Sequence, residues 1–200
     1  MPAPQEDPTD EQLADRIRRG DRAAFKALFQ NYYEALCGFV ESRVGDPNIS
    51  EDLVQNIFLN LWRRHEKLDP QGNVKAYLFG AARNESIDYR NRRSVRDDWK
   101  AEKKEESRPD LDHVPGPRHQ ISGPGENVEH QQLKRELRKS ISELPERRRQ
   151  VYVLSRRHGL TYKEIAVVMN ISPKTVDNQM VEALKFLRER LCDFTPTAER

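Results

Sequence analysis

Arg83, Arg90, Arg92, Arg93 and Arg96 recur along one stretch of the chain, with Asn84 and Tyr89 set among them. Guanidinium groups meet phosphates, and an unstacked base meets a ring or a pocket, worth about 1–3 kcal/mol per base. The chemistry this pattern supports is the holding of a single nucleic-acid strand. Glu85 and Asp88 lie among the arginines and can pair with some of them. A second stretch, Ser172 to Gln179, offers hydroxyl, ammonium and amide groups of the kind that reach base edges in a duplex groove.

Residues arranged for catalysis are not found. The five histidines (65, 113, 119, 130 and 158) are scattered, and HExxH, P-loop and GxSxG patterns are missing. Cys37 and Cys192 are the only cysteines, and neither has a Cys or His at metal-ligand spacing. The expectation is a binding protein rather than an enzyme, with no metal and no cofactor. Two free thiols also suit a cytosolic setting.

The elements that must position these groups read as helices. Thr9 with Gln12 can form a capping box for a short helix ending at Gly20. Asp21 caps the next, on which Phe25, Leu28, Phe29 and Tyr32 fall at helical spacing until Gly45-Asp46-Pro47 breaks it. Ser50 is expected to cap a third helix, bearing Leu53, Val54, Ile57, Phe58, Leu61 and Trp62 on two adjoining faces. One face must be buried; Trp62 is expected there, and Ile57 and Phe58 can be core as well. The other, with Phe58 and Leu59, is free to meet a partner. Asn73 can cap a fourth helix running to about Arg93, with Tyr77 and Phe79 expected in the core.

From Asp97 to about His130 the periodicity disappears, and the segment is acidic and rich in proline and glycine. It reads as a flexible linker averaging roughly 30 Å end to end, enough to join domains about one DNA turn, ~34 Å, apart.

Beyond it, helices are expected over Val128–Leu144 and Glu146–His158, with Gly159 closing the second. LTYKEIAVVMNISPKTVDNQMVEALKFL, residues 160–187, then has the pattern of a helix-turn-helix. Thr161 and Glu164 make a capping box. Ile165, Ala166 and Met169 supply the inner face. Asn170 suits a turn needing positive φ, and Ser172-Pro173 starts a new helix abruptly. Val176, Met180, Leu184 and Leu187 are expected inside. That turns Lys174, Thr175, Asp177, Asn178 and Gln179 outward.

Charge agrees with this division. The formal net charge is only +2, but residues 131–200 hold 15 Lys and Arg against 9 Asp and Glu. The mean hydropathy of -0.94 and 34% charged residues fit small cores under a solvated surface. No stretch approaches the roughly 20 apolar residues of a membrane span. The start is acidic and proline-rich, unlike a secretory signal.

ISPKTVDNQ resembles the output domains of response regulators as much as it resembles sigma factors. A receiver domain would alternate strands and helices, whereas residues 1–95 show helices only. EDLVQNIFLNLW (51–62) resembles the polymerase-binding stretch of sigma region 2. VKAYLFGAARNESIDYRNRR (74–93) resembles its promoter-melting helix, and LPERRRQVYVLSRRHGLTYKEIA (144–166) resembles region 4. Their order and the short linker resemble the extracytoplasmic-function (ECF) subfamily of bacterial RNA polymerase sigma factors. This resemblance implies an all-α chain of two small helical domains: region 2 over 1–96, a linker over 97–130, and region 4 over 131–195. It further implies that Asp52, Leu53, Gln55, Asn56, Phe58 and Leu59 dock on the clamp coiled coil of core RNA polymerase. Arg83, Asn84, Tyr89, Arg90, Arg92 and Arg93 would serve the -10 element and its melting, with loop 65–74 as pocket for a flipped base. Ser172, Lys174, Thr175, Asn178 and Gln179 would read the -35 element. Arg147, Arg148, Arg149, Arg156, Arg157 and Lys163 would touch phosphates or the polymerase flap. Promoter DNA, core polymerase and an anti-sigma factor are the implied partners, in the cytoplasm.

Overall fold

The structure, a computed structural model, describes residues 8–69, 72–101 and 128–192. Among them every regular element is helical, and the chain divides into two compact units, Met1–His113 and Val114–Arg200. Most of the expected linker, residues 102–127, lies outside the described residues.

The first unit opens with α1 (Asp10–Arg18). Its capping box is formed as the sequence predicts: the Gln12 amide donates to Thr9 Oγ1 at 3.3 Å, and the Thr9 amide donates to Gln12 Oε1 at 3.0 Å. Gly20, at φ +83°, turns the chain. Asp21 then caps α2 (Arg22–Val44), its Oδ1 accepting from the amides of Ala23 and Ala24 at 2.8 and 3.1 Å. Those bonds, the Ala24 amide foremost, with Arg16 alongside, hold the Asp21 carboxyl below its usual range. α2 ends at Gly45, in the left-handed region at φ +76°.

α3 (Pro47–Arg63) begins earlier than expected. Asp46, not Ser50, is its cap, with Oδ1 accepting from the amides of Asn48 and Ile49 at 2.9 and 3.2 Å. The Asp-Pro pair read as a breaker is a start signal, because proline at the first helical position lacks only an N–H that would have no partner there. Ser50 lies inside the first turns, buried, donating its hydroxyl back to the Asp46 carbonyl at 2.6 Å. A 3-10 turn (His65–Lys67) follows.

α4 (Val74–Ala101) is the longest helix among the described residues. Asn73 caps it as predicted, accepting from the Ala76 amide at 2.7 Å. It continues past Arg93 because residues 94–101, SVRDDWKA, contain neither glycine nor proline to stop it. Leu13 and Ile17, then Leu28, Leu36, Phe39 and Val40, Val54, Ile57, Phe58 and Leu61, and finally Leu78, Phe79 and Ala82 form the core of this unit. Phe39 meets Phe79 edge-on at 5.4 Å, tying α2 to α4.

The second unit comprises α5 (Val128–Glu143), α6 (Glu146–Arg156), α7 (Tyr162–Met169) and α8 (Pro173–Arg190). Gly159 has the expected positive φ, +63°. Val151, Leu154, Ile165, Val168, Val176 and Met180 are buried. Leu144, Ala183 and Leu187 form a cluster flanked by Leu137, Ile141, Tyr152 and Phe186.

Candidate nucleic-acid and polymerase interfaces

α7 and α8 are set at an angle by three local devices, each legible in the sequence. The Thr161 hydroxyl accepts from the Glu164 amide at 3.3 Å, and Glu164 Oε2 accepts from the Thr161 amide at 2.5 Å. Asn170 takes the left-handed conformation, φ 53° and ψ 52°, which ends α7 and redirects the chain. Ser172 Oγ accepts from the Thr175 amide at 3.0 Å, with Pro173 at the first position of α8. Val176, Met180, Ala183 and Leu187 face the core. Ala183 takes the place expected for Leu184, which is half-buried. The buried positions step by four, three and four residues, following the 3.6-residue turn more closely than steps of four, four and three.

On the opposite side Ser172, Lys174 and Asn178 are exposed, and Thr175, Asp177 and Gln179 half-exposed. Lys174 Nζ donates to Asp177 Oδ2 at 3.1 Å. All five residues expected to read duplex DNA therefore lie on or beside one outward surface at the start of α8. The basic residues of this unit divide. Arg147, Arg156, Arg157 and Lys163 are exposed. Arg149 instead donates to the Ser142 carbonyl at 2.8 Å, closing the end of α5.

On α4 the last fully buried residue among those with described side chains is Ser86, and residues 90–95 are all exposed. Arg90, Arg92 and Arg93 thus stand on a length of helix that runs beyond its own core, with Asn84 exposed and Tyr89 half-exposed. Arg92 Nε donates to the Asp88 carbonyl at 3.2 Å. Arg83 is half-buried, and its Nε has no hydrogen-bond partner among the described residues. Tyr77 and Phe79, both expected inside, separate: Phe79 is 1% exposed and Tyr77 46%. Two residues apart on a helix lie about 200° apart, so both cannot face one core. Tyr77 adds an exposed ring that the sequence reading missed. Of loop 65–74, positions 70 and 71 lie outside the described residues.

α3 requires the largest correction. Leu53 and Phe58, expected to meet polymerase, are buried, at 7% and 2% exposure. Phe58 packs edge-on against Phe25 at 6.1 Å and, tilted, against Phe29 at 4.8 Å. The second apolar face is covered within the unit itself. Trp62 is half-buried, 5.0 Å from both Phe25 and the stacked ring of His65. Asp52, Gln55, Asn56 and Leu59 remain exposed, Leu59 at 50%. Gln55 hydrogen-bonds the Tyr33 side chain across to α2, where burial pushes the neighbouring Cys37 thiol up to about 11.

Two helical units, one ending in a helix-turn-helix and the other in a projecting arginine-bearing helix, define a protein that handles nucleic acid by binding. Residues 28–96 match the family Sigma-70 region 2, and residues 134–187 match Sigma-70, region 4, together more than half of the chain. The RNA polymerase sigma-H factor of Pseudomonas aeruginosa is 26% identical over 185 residues, covering 91% of this chain and 93% of its own. RNA polymerase sigma factor NccH of Alcaligenes xylosoxydans xylosoxydans is 28% identical, covering 87% and 90%. The ECF RNA polymerase sigma-E factor of Escherichia coli K12 is 26% identical, covering 88% and 90%. The fold is similar to that of CnrH, solved in complex with the cytosolic domain of CnrY (TM-score 0.62, 24% identity, covering 93% of this chain and 99% of that one). It is also similar to the sigma factor RpoE of Bartonella quintana, solved with the anti-sigma factor NepR (TM-score 0.61, 21% identity, 84% and 96%). The chain belongs to the sigma-70 family of RNA polymerase sigma factors, within its extracytoplasmic-function group. It is a transcription initiation factor that binds core RNA polymerase and directs promoter-specific transcription. No described helix is long and apolar enough to cross a membrane.

Proposed function

We propose that the second unit reads the -35 element in the major groove through Ser172, Lys174, Thr175, Asn178 and Gln179 at the start of α8. The observation that carries this reading is the two-sidedness of α8 at its start, where Val176 and Met180 are buried while Ser172, Lys174 and Asn178 are exposed. The first unit then serves the -10 element. Arg90, Arg92 and Arg93 meet phosphates, while Asn84, Tyr89 and the exposed Tyr77 address unstacked bases; Arg83 supports them from its half-buried position. Holding the separated strand draws the melting equilibrium toward the open state without ATP, because the ligand binds that state better. Asp52, Gln55, Asn56 and Leu59 dock on the polymerase clamp coiled coil, and exposed basic residues of α6 and α7 meet phosphates or the flap. The working domains are 1–96 and 131–195, with 97–130 joining them and the end of α4 entering that join. The chain acts in the cytoplasm, held in check by an anti-sigma factor, as RpoE of Bartonella quintana is bound by NepR.

The test is transcription from genomic templates with core polymerase, with and without the protein. Promoter-specific transcripts are expected only with it, and identical transcripts without it overturn the reading. Lys174→Glu should weaken upstream-element binding and leave polymerase affinity unchanged, as read by footprinting and by co-purification. Equal loss of both would overturn the assignment to α8.

A further inference from the structure

Past Gln179 the outward side of α8 carries Val181, Glu182 and Lys185, all exposed, and among them Glu182 is the one carboxylate, its side chain 51% exposed. It stands one turn beyond Asn178, about 6 Å along the axis at 1.5 Å per residue. Arg148 of α6, on a separate helix, lies 3.7 Å from Glu182 Oε2 in a surface ion pair that favours one placement of the carboxylate. The other carboxylate of these turns, Asp177, is held by Lys174 at 3.1 Å. From Ser172 to Glu182 the chain therefore has one cation and two carboxylates, within a segment where Lys and Arg outnumber Asp and Glu by 15 to 9.

A carboxylate brought near duplex DNA is repelled by phosphates. Facing a base edge it is favoured only where that edge presents a donor, since an ionised carboxylate accepts and cannot donate. In the major groove the donors are cytosine N4 and adenine N6, whereas guanine and thymine present acceptors. Adenine also presents its N7 acceptor beside N6, so cytosine is the favoured partner. Guanine or thymine at the same place would set acceptor against acceptor, and discrimination would come from repulsion as much as attraction.

We propose that Glu182 is a specificity-determining residue of the element that α8 reads, its carboxylate accepting a hydrogen bond from the N4 amino group of a cytosine. Arg148 is a positioning residue that holds the carboxylate in place. With base pairs about 3.4 Å apart, Glu182 addresses a pair one or two steps from that beneath Asn178. This rests on the placement of α8 in the major groove given above.

The experiment uses the full chain assembled with core polymerase and a promoter library randomised over the upstream element, with the bound fraction sequenced. Wild type is expected to enrich cytosine at one position. Glu182→Gln, which keeps the size and adds a donor, should lower that preference by about tenfold and leave the others. Arg148→Ala should weaken the same base preference and leave the base preferences at the other positions, whatever it does to overall affinity. Glu182→Gln also releases Arg148, adding about one phosphate contact and steepening the dependence of log K on log salt by ~0.9. An unchanged base preference in Glu182→Gln would overturn the proposal, leaving a surface ion pair. If wild type enriched no upstream sequence at all, the placement of α8 itself would fail, and the two results are distinct.

Discussion

α3 and α8 begin in the same way and end up doing different things. Each opens on a capping side chain followed by proline at the first helical position, Asp46-Pro47 and Ser172-Pro173. Each is amphipathic and of similar length. α3 nevertheless buries Leu53, Val54, Ile57, Phe58 and Leu61, a broad apolar surface. α8 buries the narrower line Val176, Met180, Ala183 and Leu187. A broad apolar surface invites the inference of an external partner, but in α3 the fold supplies that partner from α2. The narrower line of α8 leaves Lys174, Asn178, Val181, Glu182 and Lys185 open to solvent. The lesson is that surplus hydrophobic width is first offered to neighbouring helices, and only what they leave uncovered is available to another molecule.

The contrast is broken most forcefully at Phe58. Phe58→Ala should destabilise the first unit by about 3–5 kcal/mol, as for other buried Phe residues, measured by denaturant unfolding. A change below about 0.5 kcal/mol with lost polymerase affinity would restore Phe58 to the interface. Next in size is Leu59→Ala, which should reduce polymerase affinity by on the order of tenfold, while stability stays within about 0.5 kcal/mol. Smaller again are the two caps. Asp46→Ala and Ser172→Ala should each cost about 1 kcal/mol, seen as separate shifts if the two units unfold independently. Least of all is the reactivity of the thiols. Cys37 is half-buried with a pKa pushed up to about 11, while Cys192 is exposed. Iodoacetamide near pH 8 should therefore modify Cys192 first, as read from peptide masses. Because the folded-state value of Cys37 lies above its ordinary 9.0, its contribution to stability is whole below pH 9.0 and is lost as pH rises toward about 11.

What the sequence disclosed follows the range of the interactions involved. Thr9, Asp21, Asn73, Thr161 and Ser172 act on amides two or three residues away, so their roles could be read from the chain alone. Asn170 is equally local. The outward polar positions at the start of α8 emerged because Lys174, Asp177 and Asn178 fall opposite Val176 and Met180 by helical period, although Val181 is exposed and Ala183 replaces Leu184 inside. Phe58 went astray because its aromatic surroundings come from α2, some thirty residues away in the chain. Tyr77 went astray where two aromatics competed for one core. The extension of α4 past Arg93 leaves no sustained apolar pattern in the sequence, because the core ends at Ser86 while the helix runs on to Ala101.

The junction between α2 and α3 carries a consequence of chirality. At Gly45 a Cβ would meet nothing within 4 Å, yet the backbone sits at φ +76°. Room is ample there, and only the hand is wrong for an L-amino acid, at roughly 1–2 kcal/mol. A mirror-image alanine installed by chemical ligation would fit without strain and restrict the unfolded chain, gaining about 0.4–1 kcal/mol.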